Sequence, residues 1–333
     1  MNKNFLIETY GCQMNIADSA EIEEILFSKG FEKTKDHQKA GWFFINTCSV
    51  RKTAEDRIYG RLGFYKNLKG KNPNFKLIVM GCFAQKDGQE LKKAYPFIDY
   101  VIGTRHRSKI LEIINENEVK NSIYDTLENE YDFLEPAPDP QYPFRSYITI
   151  IMGCNNYCTY CIVPYTRGRE TSIDSRILLN QIRQLTERGV VDVVLLGQNV
   201  NSYGKDNNDI SFSKLLEQIS EIPKIQRIHF ITSHPKDFSE QLIETVVELP
   251  KVLNHVHLPL QSASDRILTQ MNRHYTFSNF MKIIEKIRKK NELFHFSTDI
   301  LVGFPGEDES DYQLTYQAMK DIGFDQAFVF HYS

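Results

Sequence analysis

Short apolar runs alternate with segments of helical period along almost the whole chain. Residues 5–9, 42–45, 76–80 and 100–102 are apolar enough to read as buried strands. Between them, 18–29 carries Ile22, Ile25 and Leu26 at helical spacing and stops at Gly30. Residues 52–69 form a second helical segment before Gly70, and 107–117 a third. Strands alternating with helices predict a parallel, doubly wound sheet over 1–118. In 119–143 the pattern breaks, and Pro136, Pro138, Pro140 and Pro143 mark a linker. From 144 to 333 the alternation resumes, with strands expected at 146–151, 191–196, 227–231, 255–260, 296–302 and 325–331. Helices fit between them, for instance at 177–188 and 277–290. Six such units predict a partial (βα)6 barrel, whose chemistry belongs at the C-terminal ends of its strands.

Length and composition add bounds. A chain of 333 residues suggests two domains, and 41% hydrophobic with 25% charged residues is ordinary for a globular protein. No apolar stretch approaches the roughly 18 residues of a membrane span. The start, Met1-Asn2-Lys3-Asn4-Phe5, has no apolar leader. A cytoplasmic, membrane-free protein is expected, with its six cysteines reduced and available for metal or catalysis. The net charge of −3 does not advertise a nucleic-acid partner, but its distribution is uneven. Arg51, Lys52, Arg57, Arg61, Lys66, Lys69, Lys71 and Lys76 face only Glu55 and Asp56. Tyr59, Phe64 and Tyr65 lie among them as stacking surfaces for single-stranded bases, or as parts of a solvated helix.

The cysteines carry the chemistry. Cys154, Cys158 and Cys161 form C-x3-C-x2-C on a loop rich in Gly and Asn, directly after a strand. Structural zinc wants four closed ligands, whereas three thiolates suit a 4Fe-4S cluster with one iron open. Small core thiols are the alternative, which three cysteines in eight positions disfavour. Cys12, Cys48 and Cys82 each follow an apolar strand, and in a parallel sheet such ends share one edge. Each alone reads as a core thiol, but their repeated placement predicts a second three-cysteine cluster.

An open iron can chelate the amino and carboxylate groups of S-adenosylmethionine, and reduction then yields a 5′-deoxyadenosyl radical. Tyr160 is placed to pack on the adenine, or simply within the loop. Gln198, Asn199, Gln261 and Ser262, at later strand ends, are further candidates for holding that molecule. Gly303-Phe304-Pro305-Gly306-Glu307 permits close backbone approach. His255 and His257 share one strand face and read as a barrel-interior pair bonded to neighbours rather than as metal ligands.

C-x3-C-x2-C with an aromatic residue before the last cysteine resembles the radical S-adenosylmethionine superfamily. Thr9-Tyr10-Gly11-Cys12-Gln13-Met14-Asn15, Asn46-Thr47-Cys48-Ser49-Val50-Arg51 and Gly81-Cys82-Phe83-Ala84-Gln85 resemble the N-terminal domain of methylthiotransferases. Val163-Pro164-Tyr165-Thr166-Arg167-Gly168-Arg169-Glu170, Leu196-Gly197-Gln198-Asn199-Val200-Asn201 and Thr232-Ser233-His234-Pro235 are similar to the MiaB type of tRNA methylthiotransferase. The resemblance covers essentially the whole chain. It implies two 4Fe-4S clusters, a radical-generating one on Cys154, Cys158 and Cys161 and an auxiliary one on Cys12, Cys48 and Cys82. S-adenosylmethionine then serves both as methyl donor and as radical source for methylthiolation of C2 of N(6)-isopentenyladenosine beside the anticodon. The implied partners are a tRNA anticodon stem-loop and a reductant such as flavodoxin or ferredoxin; a monomer is expected. The C-terminal RNA-binding TRAM domain usual in the family is expected to be absent from this chain, which ends at Ser333. Alternatives are a methylthiotransferase acting on threonylcarbamoyl-adenosine or a ribosomal protein and, in a different class, a non-catalytic iron–sulfur electron carrier.

Overall fold

The structure is a computed structural model and describes residues 2–49, 52–115, 123–124 and 131–332. The chain divides into two compact units, Met1–Thr149 with Ile162–Arg169, and Ile150–Cys161 with Glu170–Ser333.

The first unit is an α/β sheet built from β1 (Asn4–Tyr10), β2 (Glu32–Lys33), β3 (Trp42–Thr47), β4 (Lys76–Gly81), β5 (Tyr100–Ile102) and β6 (Ile123–Tyr124). Their order is β2-β1-β3-β4-β5-β6, and every pairing is parallel. Successive side chains on a strand face opposite sides of a sheet. Accordingly Phe43, Ile45, Leu77 and Val79 enter one core while Trp42, Phe44, Ile78 and Met80 enter the other. Helices α2 (Lys52–Lys71) and α3 (Cys82–Ala94) cover the first face through Ile58, Leu62, Phe83 and Leu91. Helices α1 (Gln13–Ser28) and α4 (Lys109–Asn115) cover the second through Ile22, Leu26, Ile110 and Ile113. The doubly wound reading holds. Strand β7 (Arg145–Thr149) and helix α5 (Val163–Arg167) complete this unit.

Three details differ from expectation. The edge strands β2 and β6 have two residues each and leave no apolar run to read. Helix α1 starts at Gln13 rather than 18, because Asn15, Asp18, Glu21 and Glu23 are buried polar residues that blur its periodicity. The contacts of 131–149 and 162–169 lie with the first unit, so the units do not follow the expected division into 1–118, 119–143 and 144–333. Val50, Arg51, 116–122 and 125–130, which include parts of the expected third helix and linker, lie outside the described residues.

The expected first barrel strand, 146–151, is interrupted at Ile150, where the second unit begins. Past Thr149 the chain forms β8 (Ile151–Met152), which pairs antiparallel with β9 (Thr171–Ser172) and so closes the segment between them into a loop. Strands β10 (Asp192–Leu196) and β11 (Arg227–Phe230) pair in parallel, as do β12 (His255–His257), β13 (His295–Val302) and β14 (Gln326–His331). A parallel bridge from Ile228 to Val252 reaches the segment just before β12. Helices α6 (Ser175–Glu187), α7 (Phe212–Ser220), α8 (Glu240–Glu248), α9 (Asp265–Gln270), α10 (Phe277–Lys290) and α11 (Glu309–Ile322) intervene, giving the open βα barrel expected. Each of these six helices carries an Asp, Ser or Thr cap whose side chain accepts from the first turn.

Candidate metal centres

In the first unit, register decides which residues meet. Tyr10 pairs with Thr47 and Thr47 with Gly81, so Cys12, Cys48 and Cys82 follow three adjacent strand ends. Cys12 caps α1, Cys82 opens α3, and the Cys48 amide donates to the Tyr10 carbonyl at 2.9 Å. The approach is tight. A Cβ on Gly11 would stand 2.9 Å from Cys48 Cβ, and one on Gly81, where φ is +95°, 2.6 Å from Asn46 Oδ1. The asparagines of the two loops lock them together. Asn15 Nδ2 donates to Asn46 Oδ1 at 2.9 Å, while Asn46 Nδ2 donates to Asn15 O at 2.9 Å and to Ser19 Oγ at 3.0 Å. Gln85 Oε1 accepts from the Thr104 amide at 3.0 Å.

Charge surrounds this trio. Arg167 Nε donates to Cys82 Sγ at 3.3 Å, and its Nη2 lies 3.6 Å from Asp18 Oδ2. Arg107 Nη1 donates to Asp18 Oδ1 at 2.5 Å and also to Glu21. Helix α5 is held by Thr104 Oγ1, which donates to the Thr166 carbonyl at 2.8 Å, and by Arg105, which donates to the Arg167 carbonyl at 3.2 Å. A hydrogen bond from Cys48 brings the Cys12 thiol down to about 6, against burial and with help from Arg167. Burial pushes the Cys82 thiol up, opposed by Arg167, and pushes Glu21 up to about 8.

The second trio lies in the second unit, on the loop between β8 and β9. Positive φ at Gly153 (+78°) and Tyr157 (+48°) turns the backbone there. Asn272 Nδ2 donates to the carbonyls of Asn156 at 3.1 Å and Tyr157 at 3.0 Å, and the Thr159 amide donates to Met271 O at 3.2 Å. Arg273 Nη1 donates to Cys158 Sγ at 3.4 Å and to the Tyr160 hydroxyl at 3.4 Å, while Nη2 donates to Pro259 O at 3.1 Å. Burial pushes the Cys154 thiol up to about 11. All six cysteines are free thiols.

Among the described residues, no three His, Cys, Asp or Glu side chains gather to hold a single metal ion. Structural zinc closes on four ligands, whereas each trio brings three free thiols, the donor set that suits a 4Fe-4S cluster with one iron open.

The other candidates divide. Gln198 accepts from the Gly153 amide and so braces the cysteine loop. Asn199 is buried, donating to Asp237 Oδ2 at 2.7 Å, and its Oδ1 has no hydrogen-bond partner among the described residues. Gln261, at φ +67°, bridges to Ile300 of β13. Ser262 is fully buried, and its hydroxyl meets Thr315 Oγ1 at 3.3 Å and accepts from the Ser264 amide at 3.2 Å. Tyr160 packs against Ile267, Met271, Leu301 and Phe304. His255 and His257 each meet Ser297 Oγ at 3.0 Å, bonded to a neighbour as expected, but His255 is exposed and His257 half-buried, so the pair is not the interior one expected. Along α2, Arg61 pairs with Glu8 and lies over Phe64, and Lys69 pairs with Asp99 at 2.6 Å. Tyr65 is core and Lys76 also pairs with Asp99, at 3.7 Å, so among the described side chains Arg57, Lys66 and Lys71 remain exposed with Tyr59 and Phe64; Arg51 and the Lys52 side chain lie outside what the structure describes. Reading the sequence missed Asp18, Glu21, Arg107 and Arg273, which look like ordinary surface charges; Arg167 stood in a quoted motif without a role.

Residues 4–103 match the Uncharacterized protein family UPF0004 and 148–319 the Radical SAM superfamily. The chain is 43% identical over 334 residues to a tRNA-2-methylthio-N(6)-dimethylallyladenosine synthase of Clostridium tetani, covering 99% of this chain and 74% of that protein. It is 44% identical to a protein of the same name from Caldicellulosiruptor saccharolyticus, covering 100% of this chain and 72% of that one. Among solved structures, the radical S-adenosylmethionine methyltransferase TsrM of Kitasatospora setae, with cobalamin and a [4Fe-4S] cluster, aligns at TM-score 0.70 and 13% identity. That alignment covers 99% of this chain and 75% of TsrM. The cobalamin-dependent S-adenosylmethionine radical enzyme OxsB aligns at TM-score 0.60 and 11% identity, covering 94% and 51%. Both solved structures speak to fold alone.

Proposed function

The chain belongs to the tRNA-2-methylthio-N(6)-dimethylallyladenosine synthase family of radical S-adenosylmethionine transferases, and from that premise we propose the role of each cysteine trio. The enzyme methylthiolates C2 of N(6)-isopentenyladenosine in tRNA, with S-adenosylmethionine and 4Fe-4S clusters as cofactors. Cys154, Cys158 and Cys161 hold the radical-generating cluster, and Cys12, Cys48 and Cys82 the auxiliary one. The observation that carries the second assignment is the register of β1, β3 and β4, which sets three cysteines at neighbouring strand ends.

When bound, the clusters and S-adenosylmethionine supply the methyl group, the sulfur and the radical that an unactivated aromatic C–H demands. The protein's own residues prepare the ground. Gln198 and Asn272 fix the cysteine loop, and Arg273 holds Cys158 and Tyr160 in one orientation. Asn15 and Asn46 tie the loops of Cys12 and Cys48, so those thiols are set before any metal arrives. Tyr160, Gln198, Asn199, Gln261 and Ser262 remain proposed S-adenosylmethionine neighbours. Ser262 is the weakest of them, since its hydroxyl is committed within the fold. The substrate is an anticodon stem-loop, the electron donor flavodoxin or ferredoxin, the working unit a monomer and the compartment the cytoplasm. Among the described residues, no helix is long and apolar enough to cross a membrane.

Iron and sulfide analysis with Mössbauer spectroscopy on anaerobically reconstituted protein tests the reading. About eight irons per chain in two cubanes is the expected result, and about four removes the auxiliary site. Methylthio product from isopentenylated but not threonylcarbamoylated stem-loops is expected, and the reverse preference reassigns the substrate. An electron carrier would release no 5′-deoxyadenosine from S-adenosylmethionine.

A further inference from the structure

Arg167, at the end of α5, is 2% exposed, and its guanidinium is divided between two partners in the first unit. One edge donates Nε–H to Cys82 Sγ at 3.3 Å, and Nη2 stands 3.6 Å from Asp18 Oδ2. Asp18 is shared, because Arg107 Nη1 takes its other oxygen at 2.5 Å and also takes Glu21. Two guanidiniums and the side chains of Asp18 and Glu21 thus lie buried together, with the Tyr131 ring 5.7 Å from Arg107. Filling this space with apolar side chains would avoid a large desolvation cost, so packing alone does not explain the charges. Of these groups, Arg167 donates a hydrogen bond to a cysteine sulfur.

Resting on the reading of Cys12, Cys48 and Cys82 as cluster ligands, the geometry points to Arg167 as a positioning residue that raises the auxiliary cluster's midpoint potential through Cys82, with Asp18 as the counter-charge that limits the effect. Reduction adds negative charge that spreads onto the thiolates. A fixed cation hydrogen-bonded to one thiolate stabilises the reduced form, and an adjacent carboxylate offsets it. The two residues therefore act with opposite sign, which a purely structural role would not produce.

The test is an EPR-monitored redox titration of the full chain carrying Cys154→Ala, Cys158→Ala and Cys161→Ala, which isolates the auxiliary cluster. About four irons per chain in this parent upholds the ligand reading; none overturns it, and the inference with it. In Arg167→Gln, the reduced-to-oxidised ratio at the parent's midpoint should fall at least tenfold, about 59 mV for a one-electron couple. Arg167→Lys should retain most of the parent's ratio. Asp18→Asn should raise the ratio. Shifts of opposite sign in Arg167→Gln and Asp18→Asn uphold the inference, and shifts of the same sign or none overturn it. If Arg167→Gln loses its iron, Asp18→Asn decides alone.

Discussion

At the scale of residues, buried polar atoms do the positioning. The Asn46 carboxamide makes three hydrogen bonds with Asn15 and Ser19, all in the interior. Leaving such partners unsatisfied costs about 1–3 kcal/mol each. Asn46→Ala should therefore lower the urea midpoint and the iron bound per chain together, and unchanged iron would mean the two loops hold their places without it. His234 illustrates a pH effect. Its Nδ1 accepts from the Lys236 amide at 3.2 Å, and burial, then Arg273 and Lys236, bring it down to about 2. The unfolded chain takes up a proton near pH 6.5 that the folded one refuses, so stability is complete above that value. It falls as the pH drops from about 6.5 towards 2, by at most about 1.4 kcal/mol per unit. His234→Asn keeps the acceptor and cannot titrate, so its urea midpoint should decline less between pH 7 and 5. Equal slopes in both proteins would assign the acid sensitivity elsewhere. None of these partners was readable beforehand, since an Asn or His looks the same in sequence whether it is solvated or buried.

At the scale of elements, caps and periodicity fix the helices. Helix α10 matches its expected span because Thr276 caps it with Asn279 in a reciprocal capping box and Ile283, Ile284 and Ile287 are buried. Thr276→Ala should cost about 1 kcal/mol, measured as a lower urea midpoint. In α2, a Cβ on Gly60 meets nothing within 4 Å, so Gly60→Ala should stabilise by roughly 0.5–1 kcal/mol. A lower midpoint for this variant would mean that α2 needs the freedom of that glycine. Helix α1 misled the sequence reading for an energetic reason. Its buried Asp18 and Glu21 are tolerated because Arg107, and for Asp18 also Arg167, both remote in sequence, compensate them. The strand broken between β7 and β8 is a similar case, decided by the pairing of β8 with β9 rather than by local apolarity.

At the scale of the whole molecule, each unit has its own core and its own cysteine trio, so loss of one cluster should leave the other working. Cys82→Ala is expected to bind about four irons and still release 5′-deoxyadenosine while making no methylthio product. Loss of both activities would show that the trios depend on each other. By itself, the sequence determined the alternation of strands and helices, the parallel sheets and the cysteines as ligand candidates, because apolar period and residue chemistry are local properties. The tertiary structure alone decided the register that brings Cys12, Cys48 and Cys82 to adjacent strand ends, and the partners that make Asp18, Arg107, Arg167 and Arg273 interior charges. A buried charge is stable only when its counterpart arrives from elsewhere in the chain, and that pairing exists only once the chain has folded.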